Sequence, residues 1–241
     1  MTIATILAVV FLATLIRSAF GFGEALIAVP LLALLIPVEV AAPLAALVSI
    51  TVAAVVLVQD WRKVHIASAG WLILSTLVGI PLGLWLLTAA PEAVVKALLA
   101  VVIIGFSAYC LASRKLFELK NDRLAWVFGF IAGVLGGAYG MNGPPLVIYG
   151  TLRRWSAEHF RATLQGYFLI ASLVGMAGYW FAGLWVPTVT RYYLLSLPLV
   201  LTAIFLGRVV NRRLKRERFL VYVHGGLVVV GATLLIQSVW K

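Results

Sequence analysis

A single cysteine, Cys110, stands in the whole chain, which excludes an intrachain disulfide and any metal site built on several thiolates. Redox chemistry on paired thiols goes with it. Charge is scarce too: charged side chains make up 11% of the 241 residues, and only 8 residues are acidic. A soluble domain of this length needs charge across its surface, whereas here the windows 40–58 and 94–110 hold at most one charged residue each. His65, His159 and His224 are the only histidines, and their spacing suggests neither a metal site nor a catalytic constellation. No ATP-binding motif occurs, and neither a metal nor a cofactor is expected. The opening run, residues 1–20, has no basic n-region and no small-x-small cleavage site, so it reads as mature structure and not as a signal peptide.

What the chain has in abundance is apolar side chains, 63% of the total, arranged in runs long enough to span a bilayer. An all-α polytopic membrane protein follows. A formal charge of +11 would suggest nucleic acid in a soluble protein. Here the basic residues cluster in short loops between apolar runs, where they report orientation and touch anionic lipid headgroups. Membrane lipids are expected partners and nucleic acid is not.

Two stretches interrupt the apolar pattern. GVLGGAYGMNGPPLVIYG, residues 133–150, carries six glycines, Asn142, Pro144 and Pro145, a content that should break any continuous helix. SAFGFGEALIAVP, residues 18–30, is its upstream counterpart. Backbone left unpaired at membrane depth is tolerated only where it is buried in protein or lines a polar cavity, so a helix broken there points to a site. The runs flanking the first break, Thr2 to Ile16 and Glu24 to Ile36, each cover only about 20 Å of a hydrocarbon core about 30 Å thick. Spans follow near 40–58, 66–87 and 94–112. The pattern then restarts, with short runs Leu124 to Gly136 and Gly143 to Leu152 and spans near 163–185, 190–207 and 220–239. At an offset of 119, Gly21 meets Gly140, Leu26 to Val29 meet Pro145 to Ile148, and Glu39 meets Glu158. One transmembrane domain over 1–241 is predicted, with repeat one at 1–112 and repeat two at 120–241.

Loop charge decides whether each broken pair is one bent span or a hairpin. As single spans they would divide the basic loop residues seven against nine between the two sides. As re-entrant hairpins they place fifteen, namely Arg62, Lys63, Arg114, Lys115, Lys120, Arg123, Arg153, Arg154, Arg161, Arg208, Arg212, Arg213, Lys215, Arg216 and Arg218, on one side, with only Arg191 and Lys241 opposite. The positive-inside rule selects the hairpins, with both termini outside the cytoplasm. Each half is then a broken-helix hairpin plus three transmembrane helices, and three spans per half make the repeats inverted. Trp61, Trp126, Trp155, Trp85, Trp185 and Trp240 fit interface positions, while Trp71 and Trp180 are expected to pack within the bundle.

After each break a short helix begins, at about Gly23 and about Gly143, and its first turn presents backbone N–H groups without intrahelical partners. Those donors and the positive end of the helix favour an anion, so two opposed tips would surround one small anionic substrate. The candidate binding residues are Arg17, Ser18, Gly21, Gly23, Glu24, Gly140, Asn142 and Gly143, with Tyr139, Gln165, Ser49 and Thr51 as weaker candidates. Arg17 and Glu24 are the ionisable residues near the membrane centre, where charge is costly enough to point to function; the alternative is an ion pair that closes the tip. Asn142 either donates to an oxyanion or caps the following helix. Of the acidic residues only Glu24 lies at membrane depth, which makes it the candidate for proton coupling.

GFGEALIAVPLLALL in the first half and GGAYGMNGPPLVIYG in the second resemble the paired glycine-rich signatures of the sulfite exporter TauE/SafE family, also called the 4-toluenesulfonate uptake permeases. The resemblance covers the whole chain. It implies a permease for sulfite, sulfonates or related sulfur and carboxylate compounds in the bacterial inner membrane. Glu24 stands where the family's first signature often has glycine, placing a negative charge where an anion should bind. The leading expectation is a secondary transporter working by alternating access; a non-transporting membrane subunit and an integral-membrane enzyme are the alternatives. A homodimer is expected from the prevalence of two-fold oligomers.

Overall fold

The computed structural model describes residues 2–60, 66–112, 118–119, 122–155, 157–211 and 216–239. Among them the chain forms ten helices: α1 (Thr2–Phe20), α2 (Glu24–Ala33), α3 (Val38–Asp60), α4 (Ile66–Ala89), α5 (Glu92–Leu111), α6 (Ala125–Tyr139), α7 (Gly143–Leu152), α8 (Ala157–Phe181), α9 (Pro187–Asn211) and α10 (Arg216–Val239). Six described segments, in α1, α3, α4, α5, α8 and α9, are long and apolar enough to cross a membrane. Helix is what lipid imposes, because an apolar run there must satisfy its own backbone. Many large apolar side chains, such as Val78, Phe181 and Val229, point outward, as a lipid-facing surface requires.

Both breaks are made the same way. Gly21 (φ 88°) and Gly140 (φ 63°) close α1 and α6 in the left-handed conformation, which glycine adopts without the Cβ clash. Each donates its N–H to the carbonyl four residues back, Gly21 to Arg17 at 2.6 Å and Gly140 to Gly136 at 2.8 Å, and at the second break the Met141 N–H adds a bond to the Leu135 carbonyl at 3.2 Å. The next helices begin at 24 and 143 and end at 33 and 152, the same offset of 119 at both ends. It persists into the starts of α3 and α8, at 38 and 157.

Both broken pairs turn back on themselves. Val10, about two turns before Arg17 in α1, and Leu32 near the end of α2 lie together against Leu44 and Val48 of α3, so α2 returns along α1. Between α6 and α7 the closure is polar. Asp122, just before α6, takes a hydrogen bond from the Tyr149 hydroxyl at 2.5 Å and an ion pair from Arg153 Nε at 3.1 Å. Arg153 also donates to the Leu119 carbonyl at 2.8 Å, and the Leu119 N–H donates to the Leu152 carbonyl at 2.9 Å. The two free ends of this pair therefore lie together.

Packing partners exchange between the halves. α4 packs along α6 as α9 packs along α1, α5 lies on α10 and α3 on α8. The α4–α6 seam is the tightest, because a Cβ at Gly79, Gly83, Gly129, Gly133 or Gly137 would overlap the backbone of the facing helix. Small residues let membrane helices approach this closely.

Several positions differ from the sequence reading. α1 runs to Phe20, not Ile16, because the Arg17 charge is paired inside the protein and does not end the helix; its Ile3–Phe20 segment is thereby long and apolar enough to cross a membrane, whereas the span expected near 220–239 appears among the described residues as the shorter apolar helix His224–Ser238. Trp71 and Trp180, expected in the bundle, are 65% and 66% exposed; large amphipathic rings sit well at the lipid boundary. Lys96, which the loop-charge count left out, lies near the start of α5 and pairs with Glu92 at 2.7 Å. Arg62, Lys63, Arg114, Lys115, Lys120, Arg212, Arg213, Lys215, Trp61, Trp240 and His65 lie outside the described residues.

Candidate functional site

The two breaks meet at the crossing of α3 and α8. Each tip rests on the first long helix of the other half. The Gly21 carbonyl accepts from Gln165 Nε2 of α8 at 3.0 Å, and a Cβ on Gly140 would come 3.0 Å from the Ala42 carbonyl of α3. The crossing itself is marked by Ser172 Oγ donating to Ser49 Oγ at 3.1 Å. Gln165, Phe168 and Ser172 fall at i, i+3 and i+7 of α8, one face of a helix.

At the centre lies Arg17, in the last turn of α1 and 3% exposed. Its Nη1 donates to Glu24 Oε2 at 2.5 Å and to Ser49 Oγ at 2.7 Å, and its Nη2 donates to Gln165 Oε1 at 3.2 Å. The guanidinium also lies 5.0 Å from the Phe168 ring centroid, a cation–π distance. Helix α1 delivers the cation, α2 the carboxylate, and α3 and α8 the neutral groups that orient it. Two polar atoms of the pair, Arg17 Nε and Glu24 Oε1, are buried with no hydrogen-bond partner. Buried polar atoms of this kind call for a partner.

Beside this pair is a cavity of about 20 Å³ lined by both tips, including Arg17, Gly23, Glu24, Ser49, Asn142 and Phe168. That is room for about one water molecule. The tips do not contribute equally. In α2 the first intrahelical bond runs from Ile27 N–H to the Gly23 carbonyl, leaving the N–H groups of Glu24, Ala25 and Leu26 free of helical partners. In α7 the second and third residues are Pro144 and Pro145, which have no N–H, so only Gly143 and Leu146 remain as donors in that turn. The donor-rich tip is thus the one that also carries the Glu24 carboxylate.

The predicted residues separate into two groups. Arg17, Gly23, Glu24, Gly140, Asn142 and Gly143 line the cavity, while Gly21 and Gln165 support it through the hydrogen bonds above. Ser18 faces elsewhere: a Cβ on Gly207 of α9 would meet its side chain. The Tyr139 hydroxyl donates to the Val95 carbonyl of α5 at 2.9 Å, and Thr51 bonds Tyr193 and the Leu47 carbonyl. Asn142 makes no side-chain cap on α7; its amide donates to the Ala132 carbonyl of α6 at 3.3 Å and fills the space left by Gly136. Phe22, Met141 and Phe168 also line the cavity, and sequence reasoning passed over them. Phe168 was within reach, since it shares a helix face with Gln165.

Six segments long and apolar enough to cross a membrane, with two helix breaks meeting over a buried cation, define a multi-pass membrane protein. The chain belongs to the sulfite exporter TauE/SafE family, whose profile matches residues 6–234. It is 26% identical over 180 residues to a protein of Cupriavidus necator described as a probable sulfite/organosulfonate exporter TauE, with 75% of this chain and 70% of that protein covered. No solved structure matches it.

Proposed function

We propose that the chain carries a small oxyanion, sulfite or an organosulfonate first and a related carboxylate next, across the bacterial cell membrane as a secondary transporter. The observation that carries this reading is Arg17, a buried cation held where the two helix breaks meet, with unpaired N–H groups of α2 beside it. An anion placed there gains a charge-assisted hydrogen bond and the positive end of a helix.

The two halves, 1–112 and 120–241, are inverted repeats in this reading. With α3, α4 and α5 each crossing once, the second hairpin opens on the face opposite the first, and the shared offset of 119 and the exchanged packing partners support the relation. The basic loops then face the cytoplasm and both termini lie outside. Alternating access is rocking of the repeats about the fixed site, as inverted-repeat transporters do it. Glu24 is the proton carrier. Arg17 is the charged group placed against it, and Ser49, Asn142, Gly23 and Phe168 are among the neutral groups around the same cavity.

Reconstitution in liposomes tests the reading. Counterflow of labelled sulfite by the parent protein, faster in an imposed pH gradient, is expected; Glu24→Gln should retain exchange and lose the response to the gradient. Lack of exchange with every small oxyanion and carboxylate overturns the transport reading, and retained pH response in Glu24→Gln removes Glu24 as the proton site.

A further inference from the structure

The Arg17–Glu24 pair is held asymmetrically. Four groups surround the guanidinium, and three of them, Ser49, Gln165 and the Phe168 ring, come from α3 and α8 and do not depend on Glu24. The Glu24 carboxylate has one described anchor, Arg17 through Oε2, and its Oε1 has no partner. Remove the carboxylate and the cation stays aimed; remove the cation and the carboxylate has nothing. The turn that carries Glu24 has room beside it. Gly21 and Gly23 both have left-handed φ, 88° and 99°, and apart from its chain neighbours no atom lies within 4 Å of a Cβ position on Gly23. Gln165 spans this turn and the cation together, donating to the Gly21 carbonyl and accepting from Arg17.

Space and charge then set a condition on binding. The cavity of about 20 Å³ holds about one water, too little for an anion carrying several oxygens while the carboxylate stays in place. A second anion beside an already neutralised cation would also meet the Glu24 charge at close range in a low dielectric. We propose that Glu24 is the resident ligand of Arg17 between transport cycles, and that substrate binds by exchange: its anionic group takes the position of the Glu24 carboxylate, which returns when the substrate leaves. The inference rests on the anion-site reading above and adds the competitor built into it. The ligands it selects are small anions that present carboxylate-like oxygens, such as carboxylates, sulfite and sulfonates. Bulky or cationic solutes have no way to replace the carboxylate.

The test compares the parent with Glu24→Gln and Glu24→Ala in detergent, measuring sulfite affinity by calorimetry and thermal stabilisation by sulfite and by sodium formate. Exchange predicts that Glu24→Gln binds sulfite roughly tenfold or more tighter than the parent, the loss of a competing charge-assisted contact. It also predicts that formate raises the melting temperature of Glu24→Ala, by filling the vacated position, and raises that of the parent less, because there it must first displace Glu24. Glu24→Asp retains the charge on a shorter arm, and should fall between parent and Glu24→Gln; it keeps the ranking measurable if Glu24→Ala does not fold. Equal sulfite affinity in parent, Glu24→Asp and Glu24→Gln overturns the exchange while leaving the anion site standing. Failure of sulfite and formate to bind any of the proteins overturns both.

Discussion

Gly133 in α6 sits where no side chain fits. A Cβ there would overlap the Thr76 carbonyl and come 2.9 Å from the Cα atoms of Thr76 and Gly79, all backbone of α4, so the helices must separate. Overpacking of this kind costs about 1–3 kcal/mol, and the helix-propensity gain of alanine over glycine returns about 0.5–1 kcal/mol. Gly133→Ala should therefore be less stable than the parent by up to about 2.5 kcal/mol, or up to roughly 10 °C in melting temperature for a chain of this size. Gly105→Ala is the control, since a Cβ at Gly105 meets nothing within 4 Å, and it should melt at or slightly above the parent. Intrinsic tryptophan fluorescence on heating in detergent reads both. If Gly133→Ala melts as high as Gly105→Ala, the close approach of α4 and α6 is wrong, and with it the seat of the second hairpin.

Two further outcomes follow from the same geometry. Asn142→Leu removes an amide that lines the cavity and ties α7 to the Ala132 carbonyl; sulfite affinity should fall about tenfold in a folded protein, and unchanged affinity would leave Asn142 a purely structural tie. In a Cys110→Ala background, single cysteines at Ser113, Ser156 and Asn211 should resist an impermeant thiol reagent applied outside, while one at Thr188 reacts. Labelling of Ser156 from outside would refute the hairpin topology.

The breaks were legible because they depend on residue type alone. Glycine at 21, 23 and 140 and proline at 144 and 145 mark places where an apolar helix stops, whatever surrounds it. The partnership of Arg17 and Glu24 was legible as the alternative to an anion-holding Arg17, since membrane-depth charges seek one another. What the sequence did not reveal is direction around a helix. Ser18 follows Arg17 by one residue, which turns it about 100° away and onto α9, and the Tyr139 hydroxyl reaches α5 although its neighbour Gly140 lines the cavity. Met141 and Phe22 looked like ordinary apolar residues, and only the folding back of both tips brings them to the site. Trp71 and Trp180 failed for the same reason: a tryptophan in an apolar run fits a core or a lipid boundary equally, and the neighbouring helices decide.

The central claim is that the Arg17 charge holds the transported anion, and a comparison of two isosteric proteins tests it most directly. Glu24→Gln alone leaves the cation without its carboxylate, whereas Arg17→Gln with Glu24→Gln makes the pair neutral and avoids stranding a buried charge. Sulfite affinity should be at least about tenfold weaker in the double variant than in Glu24→Gln, with both proteins showing a cooperative thermal transition. Equal affinity in two folded proteins would contradict the account, because the anion would then be held by something other than Arg17.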